Sequence, residues 1–395
     1  MNAAPEHWLN AREQRHQRAL ATLGLPTERL ETPALVIDLD AMERNLQRMA
    51  SFAYVHGLRL RPHAKTHKSA ELAQQQMSLG AVGVCVQKTD EALALAHAGV
   101  TDIYISNEVL AEPKLDRLAQ AVRDLPCRFA IAVDSLLGIE RLSTALAQAR
   151  VETAAAIDVF VEIDVGQGRC GAGSPEDALL LAHQIQAHPS LRLAGLQAYH
   201  GGAQHLRTVG ERDAALAASA NTVRATVAQW QQAGLQVPLI TGAGTGSLVR
   251  ETASGLWGEL QAGSYLFMDA DYAANEGDPG APVFEHALFI KSQVISHGMH
   301  HAVCDAGHKS HAIDSGLPAV AWPSGLRFAN GGDEHGLLRV TDEGQLPALG
   351  DTVWLVPGHC DPTVNLHDWY FGVRGGLTRG VIERVIPIDA RGALT

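Results

Sequence analysis

The chain has 395 residues, 46% of them apolar and 19% charged, with a net charge of −12; that length accommodates two or three domains, and the composition is that of a folded soluble enzyme. Its acidic balance and scattered basic residues argue against nucleic acid and against docking on an anionic membrane. Five widely spaced cysteines exclude a fully paired disulfide framework or a CxxC motif. With no apolar signal region and no stretch of membrane-span length, a reducing cytoplasm is expected.

The first 30 residues, with Trp8, Leu9, Leu20 and Leu23, form a helix-like arm. From about residue 32 to 270, short apolar runs alternate with helical patterns. The runs are 34–40, 58–65, 81–87, 102–109, 128–134, 158–164, 192–199, 238–242 and 259–265. Such alternation predicts a parallel sheet, and setting 34–40 aside leaves the eight strands of a (β/α)₈ barrel. An open doubly wound sheet is disfavoured, since no G-x-G-x-x-G opens a first βα unit. Asp40 and Glu43 stand in capping-box positions before Met42, Leu46 and Met49. Gly234 is placed to end a helix over 211–232.

Several of these strands end in chemically capable residues. Lys65 closes the run Arg61-Pro-His-Ala-Lys65, where a desolvated amine can form a Schiff base with a carbonyl, although strand-end lysines are commonly solvated or paired. The loops 164–171 and 197–205 bring Arg169, Tyr199, His200 and His205 to the same barrel end, where a structural arginine and a capping aromatic are the plainer readings. Glycine-rich loops follow the last two strands, Thr241-Gly-Ala-Gly-Thr-Gly-Ser247 and Ala262-Gly-Ser264. Their exposed N–H groups and the hydroxyls of Thr245 and Ser264 suit a phosphate monoester, and plain tight turns are the competing reading. The missing Gly-Lys-Ser/Thr ending argues against ATP.

Beyond about residue 285, runs at 287–295, 302–304, 337–340, 352–356 and 381–388 lack intervening long helices and predict an antiparallel β domain. In Pro357-Gly-His359-Cys360-Asp361-Pro362, alternation along an extended segment puts His359 and Asp361 on one face with Cys360 opposite. That pair suits a hard divalent ion, and an Asp-Pro turn with a bystander histidine is the plainer reading.

Taken in order, Arg61-Pro-His-Ala-Lys65, Val86-Gln87-Lys88, Ile105-Ser-Asn-Glu-Val109, Asp164-Val-Gly-Gln-Gly-Arg-Cys-Gly171, Gly195-Leu-Gln-Ala-Tyr-His-Gly201, Gly244-Thr-Gly-Ser247, Glu259-Leu-Gln-Ala-Gly-Ser-Tyr265, Met268-Asp-Ala-Asp-Tyr272, Asp333-Glu-His-Gly336 and Pro357-Gly-His-Cys-Asp-Pro-Thr363 resemble the metal-dependent, pyridoxal-phosphate D-threonine aldolases. The wider group includes 3-hydroxy-D-aspartate aldolase and D-serine dehydratase, with the alanine-racemase fold (pyridoxal-phosphate fold type III).

The resemblance implies that Lys65 holds the cofactor covalently. Thr245, Gly246, Gly263 and Ser264 hold its phosphate, and Gln87, Arg169, Tyr199 and Tyr272 line its ring. His359 and Asp361 bind a divalent ion, Mn²⁺ first, with Mg²⁺ and Co²⁺ as alternatives. It also implies an N-terminal arm over 1–56 whose strand joins the β domain, a cofactor barrel over 57–280, a β domain over 281–395 and a homodimer. The expected reaction is retro-aldol cleavage of a D-3-hydroxy amino acid to glycine and an aldehyde, with His205, or a metal-bound water acting with it, as candidate base. The alternatives are a dehydratase acting by β-elimination and an aldolase specific for 3-hydroxy-D-aspartate. Dehydratases of the group tend to show His-x-Cys where this chain has His359-Cys360-Asp361, which favours the aldolase.

Overall fold

In chain order the elements are α1 (Glu6–Leu20), β1 (Ala34–Asp38), α2 (Leu39–Val55), β2 (Arg59–Leu60), α3 (Ala70–Ser78), β3 (Val84–Val86), α4 (Thr89–His97), β4 (Asp102–Ile105), α5 (Glu112–Asp124), β5 (Arg128–Val133), α6 (Leu136–Gln148), β6 (Ile157–Glu162), α7 (Pro175–Ala187), β7 (Leu191–Ala198), α8 (Val209–Gln232), β8 (Ile240–Gly242), α9 (Leu248–Ser254), β9 (Glu259–Leu260) and α10 (Ala270–Ala273). There follow β10 (Leu288–His297), β11 (Ala302–Cys304), β12 (Ala319–Trp322), β13 (Leu326–Asn330), β14 (Gly336–Val340), β15 (Thr352–Val356), α11 (Cys360–Val364), β16 (Trp369–Arg374) and β17 (Val381–Pro387). The computed structural model describes residues 6–151, 157–341 and 344–395, without the side chains of 6–10 and 12, so Trp8 and Leu9 lie outside the described side chains. The chain divides into two compact units: one takes in residues up to Asn45, Phe267–Ala270 and Glu285–Ile388, the other Leu46–Leu266, Asp271–Phe284 and Asp389–Thr395.

The second unit is the barrel. Its parallel strands run in the order β2-β9-β8-β7-β6-β5-β4-β3. The ring closes where Val82 and Cys85 donate N–H bonds of 2.8 Å to the carbonyls of Leu60 and Pro62, with a parallel bridge between His63 and Cys85. Every residue of β6 is buried and all of β5 after Arg128, as strands covered on both faces require. The closing seam is stitched by charge. Buried Arg61 reaches Glu259 at 3.1 Å and Asp102 at 2.5 Å, and Thr241 donates to the same Glu259 at 2.9 Å. Gly83 makes room for that network, because a Cβ there would stand 2.5 Å from the Arg61 guanidinium.

The first unit holds a nine-stranded sheet with the path β13-β14-β11-β10-β1-β16-β17, and with β15 pairing β10 and β12. It is mixed rather than purely antiparallel, since β1 runs antiparallel to β10 but parallel to β16. Three of its strands escape the sequence reading: β12, β13 and β16. In β16 the interruption is Gly372, where a Cβ would come within 2.9 Å of the Leu39 side chain. The capping box expected at Asp40 and Glu43 is also corrected. Asp38 caps α2 by accepting the Ala41 N–H at 3.1 Å. Asp40 and Glu43 bind the Arg374 guanidinium instead, at 2.8 and 2.7 Å.

Candidate active site

Lys65 stands on a 3-10 turn, Ala64–Thr66, rather than at the tip of a long strand. Regular pairing in β2 stops at Leu60, and the His67 and Lys68 N–H groups fold back onto the Ala64 carbonyl at 3.1 and 2.7 Å. Beside it, the Gln87 amide is 2.9 Å from His63 Nε2 and 3.2 Å from Ser106 Oγ. Burial, with the charges of Lys65, His67 and Arg169, holds the His63 imidazole well below its usual value. The ring is therefore neutral. Its Nδ1 has no hydrogen-bond partner among the described residues, and neither does the buried Thr66 Oγ1. Thr66 Oγ1 lies against Gly263, where a Cβ would be 2.7 Å from it. Unsatisfied buried polar atoms are rare and costly, so two of them around a half-buried lysine, beside a backbone kept bare by glycine, fit a polar group seated there. His63 and Thr66 are the residues that sequence reasoning passed over. The signal was present in that both flank Lys65 in a buried run.

The phosphate candidates are arranged more tightly than glycine loops alone require. Thr245 Oγ1 accepts the Tyr265 N–H at 3.0 Å, which leaves its hydroxyl proton to donate. The Gly246 N–H already donates to Gln204 Oε1 at 2.8 Å. Gly246 therefore offers space rather than a donor. Ser264 is buried in the turn that follows Gly263.

Arg169 is exposed on the loop after β6, whose turn is built by Asp164 accepting the N–H groups of Gly166 and Gly168 at 2.9 and 3.0 Å. Around that loop lies an acidic group not noticed in the sequence. Glu108, Asp134 and Cys170 bring ligand-type atoms within 4.8 Å of one another. Burial pushes the Cys170 thiol up to about 11. Burial and the neighbouring Glu108, against the opposing pull of Arg169, push Glu162 up to about 9. Glu162 therefore keeps its proton near neutral pH.

Glu251 is a second carboxyl of this kind, pushed up to about 8 by burial although Ser247 donates to it. Both acids keep a proton in the folded chain at pH values where the unfolded chain has released it. Stability is therefore expected to fall as pH rises from about 5 to about 9 and to level off above, because the folded state binds the extra protons. Thermal melts across that range test this. Glu251→Gln should flatten the decline between about pH 5 and pH 8, and an unchanged slope would show that the proton is not held there.

His205 ends a short 3-10 segment, Gly201–His205. Its Nδ1 is 2.7 Å from Asp271 Oδ2. Since a carboxylate only accepts, Nδ1 carries the proton and Nε2 is the basic atom of the neutral ring. Burial pushes Asp271 up, but hydrogen bonds from Arg207 and His205 bring it below the usual carboxylate range, so it stays charged. The Tyr272 ring lies 6.2 Å from His205, centroid to centroid. Tyr199 directly follows β7 and is half-buried.

The metal candidates lie in the other unit, and the extended alternation expected for them is corrected. The chain turns helical at Cys360, so His359 is the N-cap of α11 and Asp361 sits in its first turn. The turn is fixed by Asp269, which accepts the Cys360 N–H at 3.0 Å, and by Thr363, whose hydroxyl donates to the His359 carbonyl at 2.7 Å. Cys360 is fully buried, and its thiol faces the Met268 carbonyl at 3.5 Å. His359 Nδ1 lies 2.7 Å from Asp314 Oδ2, the arrangement by which a carboxylate orients a ligating imidazole and leaves Nε2 for the ion. Burial pulls His359 down, yet Asp361, Asp314 and Asp269 outweigh it and hold the ring above its usual value. These side chains do not close into a compact donor set: among the described residues, the group of three ligand-type side chains with atoms within 4.8 Å of one another is Glu108, Asp134 and Cys170. Asp314 carries no local sequence signal, since it is 45 residues from the histidine it orients.

A family model for the alanine racemase N-terminal domain matches residues 37–271, more than half of the chain. The chain belongs to that family. A model described as a putative serine dehydratase domain matches residues 287–373. Among family relatives, a D-threonine aldolase from Arthrobacter sp. is 45% identical over 371 residues, covering 93% of this chain and 95% of the relative. A 3-hydroxy-D-aspartate aldolase from Paracoccus denitrificans (strain Pd 1222) is 42% identical over 375 residues, covering 93% and 94%. The crystal structure of a D-threonine aldolase from Filomicrobium marinum superposes with a TM-score of 0.90 at 45% identity, covering 94% of this chain and 99% of that one. No helix among the described residues is long and apolar enough to cross a membrane.

Proposed function

We propose that this chain is a carbon–carbon lyase that cleaves D-3-hydroxy amino acids, D-threonine among them, to glycine and an aldehyde. The observation that carries the reading is near-full-length similarity to two aldolases, joined to a lysine on a buried turn beside unsatisfied polar atoms. Pyridoxal phosphate, when bound, supplies an electron sink at Cα, and a divalent ion supplies a Lewis acid. Lys65 would hold the cofactor through its side-chain amine. Thr245, Gly263 and Ser264 hold the phosphate, with Gly246 giving room. Gln87, Arg169, Tyr199 and Tyr272 line the ring. Arg169 would bring a cation to the ring and temper the electron sink it supplies. His205 Nε2, its ring fixed by Asp271, takes the proton of the β-hydroxyl as Cα–Cβ breaks. His359 and Asp361 hold the ion, Mn²⁺ by preference, with Asp314 fixing the imidazole. The working form is a cytoplasmic homodimer.

Incubating the protein with pyridoxal phosphate, Mn²⁺ and D-threonine, with and without EDTA, tests this. Glycine and acetaldehyde, abolished by EDTA and restored by Mn²⁺, are expected. Ammonia and 2-oxobutanoate would instead identify a dehydratase, the reading against which Asp361 in place of a cysteine ligand argues. Cleavage of 3-hydroxy-D-aspartate alone would narrow the substrate class.

A further inference from the structure

Behind the glycine loop runs a chain of three buried polar side chains that the proposed mechanism does not use. Gln204, Ser247 and Glu251 are 1%, 0% and 2% exposed. Ser247 Oγ donates to Glu251 Oε2 at 2.7 Å and accepts both the Gly244 N–H at 2.9 Å and the Gln204 amide at 2.8 Å. The other end of the Gln204 amide accepts the Gly246 N–H at 2.8 Å. Two N–H groups of the loop are thus fixed by side chains, and every hydrogen-bonding position of the Ser247 hydroxyl is filled.

The fit is close as well as satisfied. A Cβ on Gly244 would stand 2.3 Å from Gln204 Oε1, and one on Gly246 3.2 Å from it. The Asn275 amide donates to the Gln204 carbonyl at 2.8 Å, which anchors that residue from the other side. The charged neighbours on the adjoining helices are committed to one another. Arg250 pairs with Asp213 and Asp278, and Arg212 pairs with Asp278.

From this geometry we infer that Gln204, Ser247 and Glu251 form a positioning relay that holds the 241–247 loop in the shape a phosphate monoester needs, with Glu251 as its fixed acceptor at the buried end. Such a relay removes conformational freedom before binding, so the phosphate meets a loop that is already ordered. The inference rests on reading that loop as the cofactor's phosphate site.

The test compares pyridoxal phosphate with pyridoxal, which lacks the phosphate. Their dissociation constants are measured on the apo protein by absorbance and by quenching of tryptophan fluorescence. The variants are Ser247→Ala, Gln204→Leu, Glu251→Leu and the conservative Glu251→Gln. Loss of one relay hydrogen bond is expected to weaken pyridoxal phosphate about tenfold and to leave pyridoxal unchanged, with Glu251→Gln close to wild type because its amide oxygen still accepts. Equal weakening of both ligands in variants with intact thermal melts, or no weakening of either, would overturn the relay. If a large-to-small variant does not fold, Glu251→Gln decides: a loss of pyridoxal phosphate affinity there removes the acceptor role. Wild-type protein that binds pyridoxal as tightly as pyridoxal phosphate would sink the phosphate reading itself, which separates the two failures.

Discussion

Replacing Lys65 with alanine is expected to lower turnover of a D-3-hydroxy amino acid by on the order of 10⁴-fold or more, the scale of loss when a covalent-catalysis residue is removed. Lys65→Arg should do the same, because a guanidinium stays protonated and cannot act as a nucleophilic amine. The reason is local. Lys65 is half-buried on the turn Ala64–Thr66, between a neutral imidazole and a glycine-lined backbone. Borohydride reduction of the wild-type holoprotein followed by mass spectrometry should place the cofactor on the peptide containing Lys65, and the label should vanish in both variants. A small primary amine added to Lys65→Ala should restore part of the rate. Label on another lysine would remove Lys65 from its role.

His205→Asn is expected to lower kcat by roughly 10²- to 10³-fold, the range for a general base, with a much smaller effect on KM. Asp271→Asn should cost less, since Asp271 fixes the ring and its tautomer through Nδ1 and does not itself take the proton. The two substitutions share one hydrogen bond, so their combination should fall well short of additive. The split between kcat and KM is the sharper readout: kcat should fall in both variants while KM moves little in either. A His205→Asn variant within tenfold of wild type would move the base elsewhere.

Much of the barrel is readable along the chain because its strands are buried on both faces. Runs such as Val159-Phe-Val and Ile103-Tyr-Ile need no partner to be recognised. The strand ends are less readable. Lys65 and Asp361 both fall where extended backbone gives way to a tight turn, and those turns depend on acceptors distant in sequence or on barrel closure. Asp269, which fixes the turn at Cys360, is 91 residues away. The missed members of the site share this property. Asp314, Glu162 and Glu251 are ordinary acids in sequence, and only the fold decides which of them loses its water. The β domain was partly hidden for a different reason. Gly372 interrupts β16 to make space for Leu39, and that contact is not encoded locally.

The position of β1 has a consequence for how the chain is made. Ala34, Leu35, Val36 and Ile37 are buried between β10 and β16, so neither flank of this strand has a partner until residues from 288 onward have left the ribosome. At ordinary elongation rates that interval is on the order of ten to fifty seconds. During it, an apolar strand with two open edges is exposed in the nascent polypeptide, the kind of segment that recruits strands from other chains.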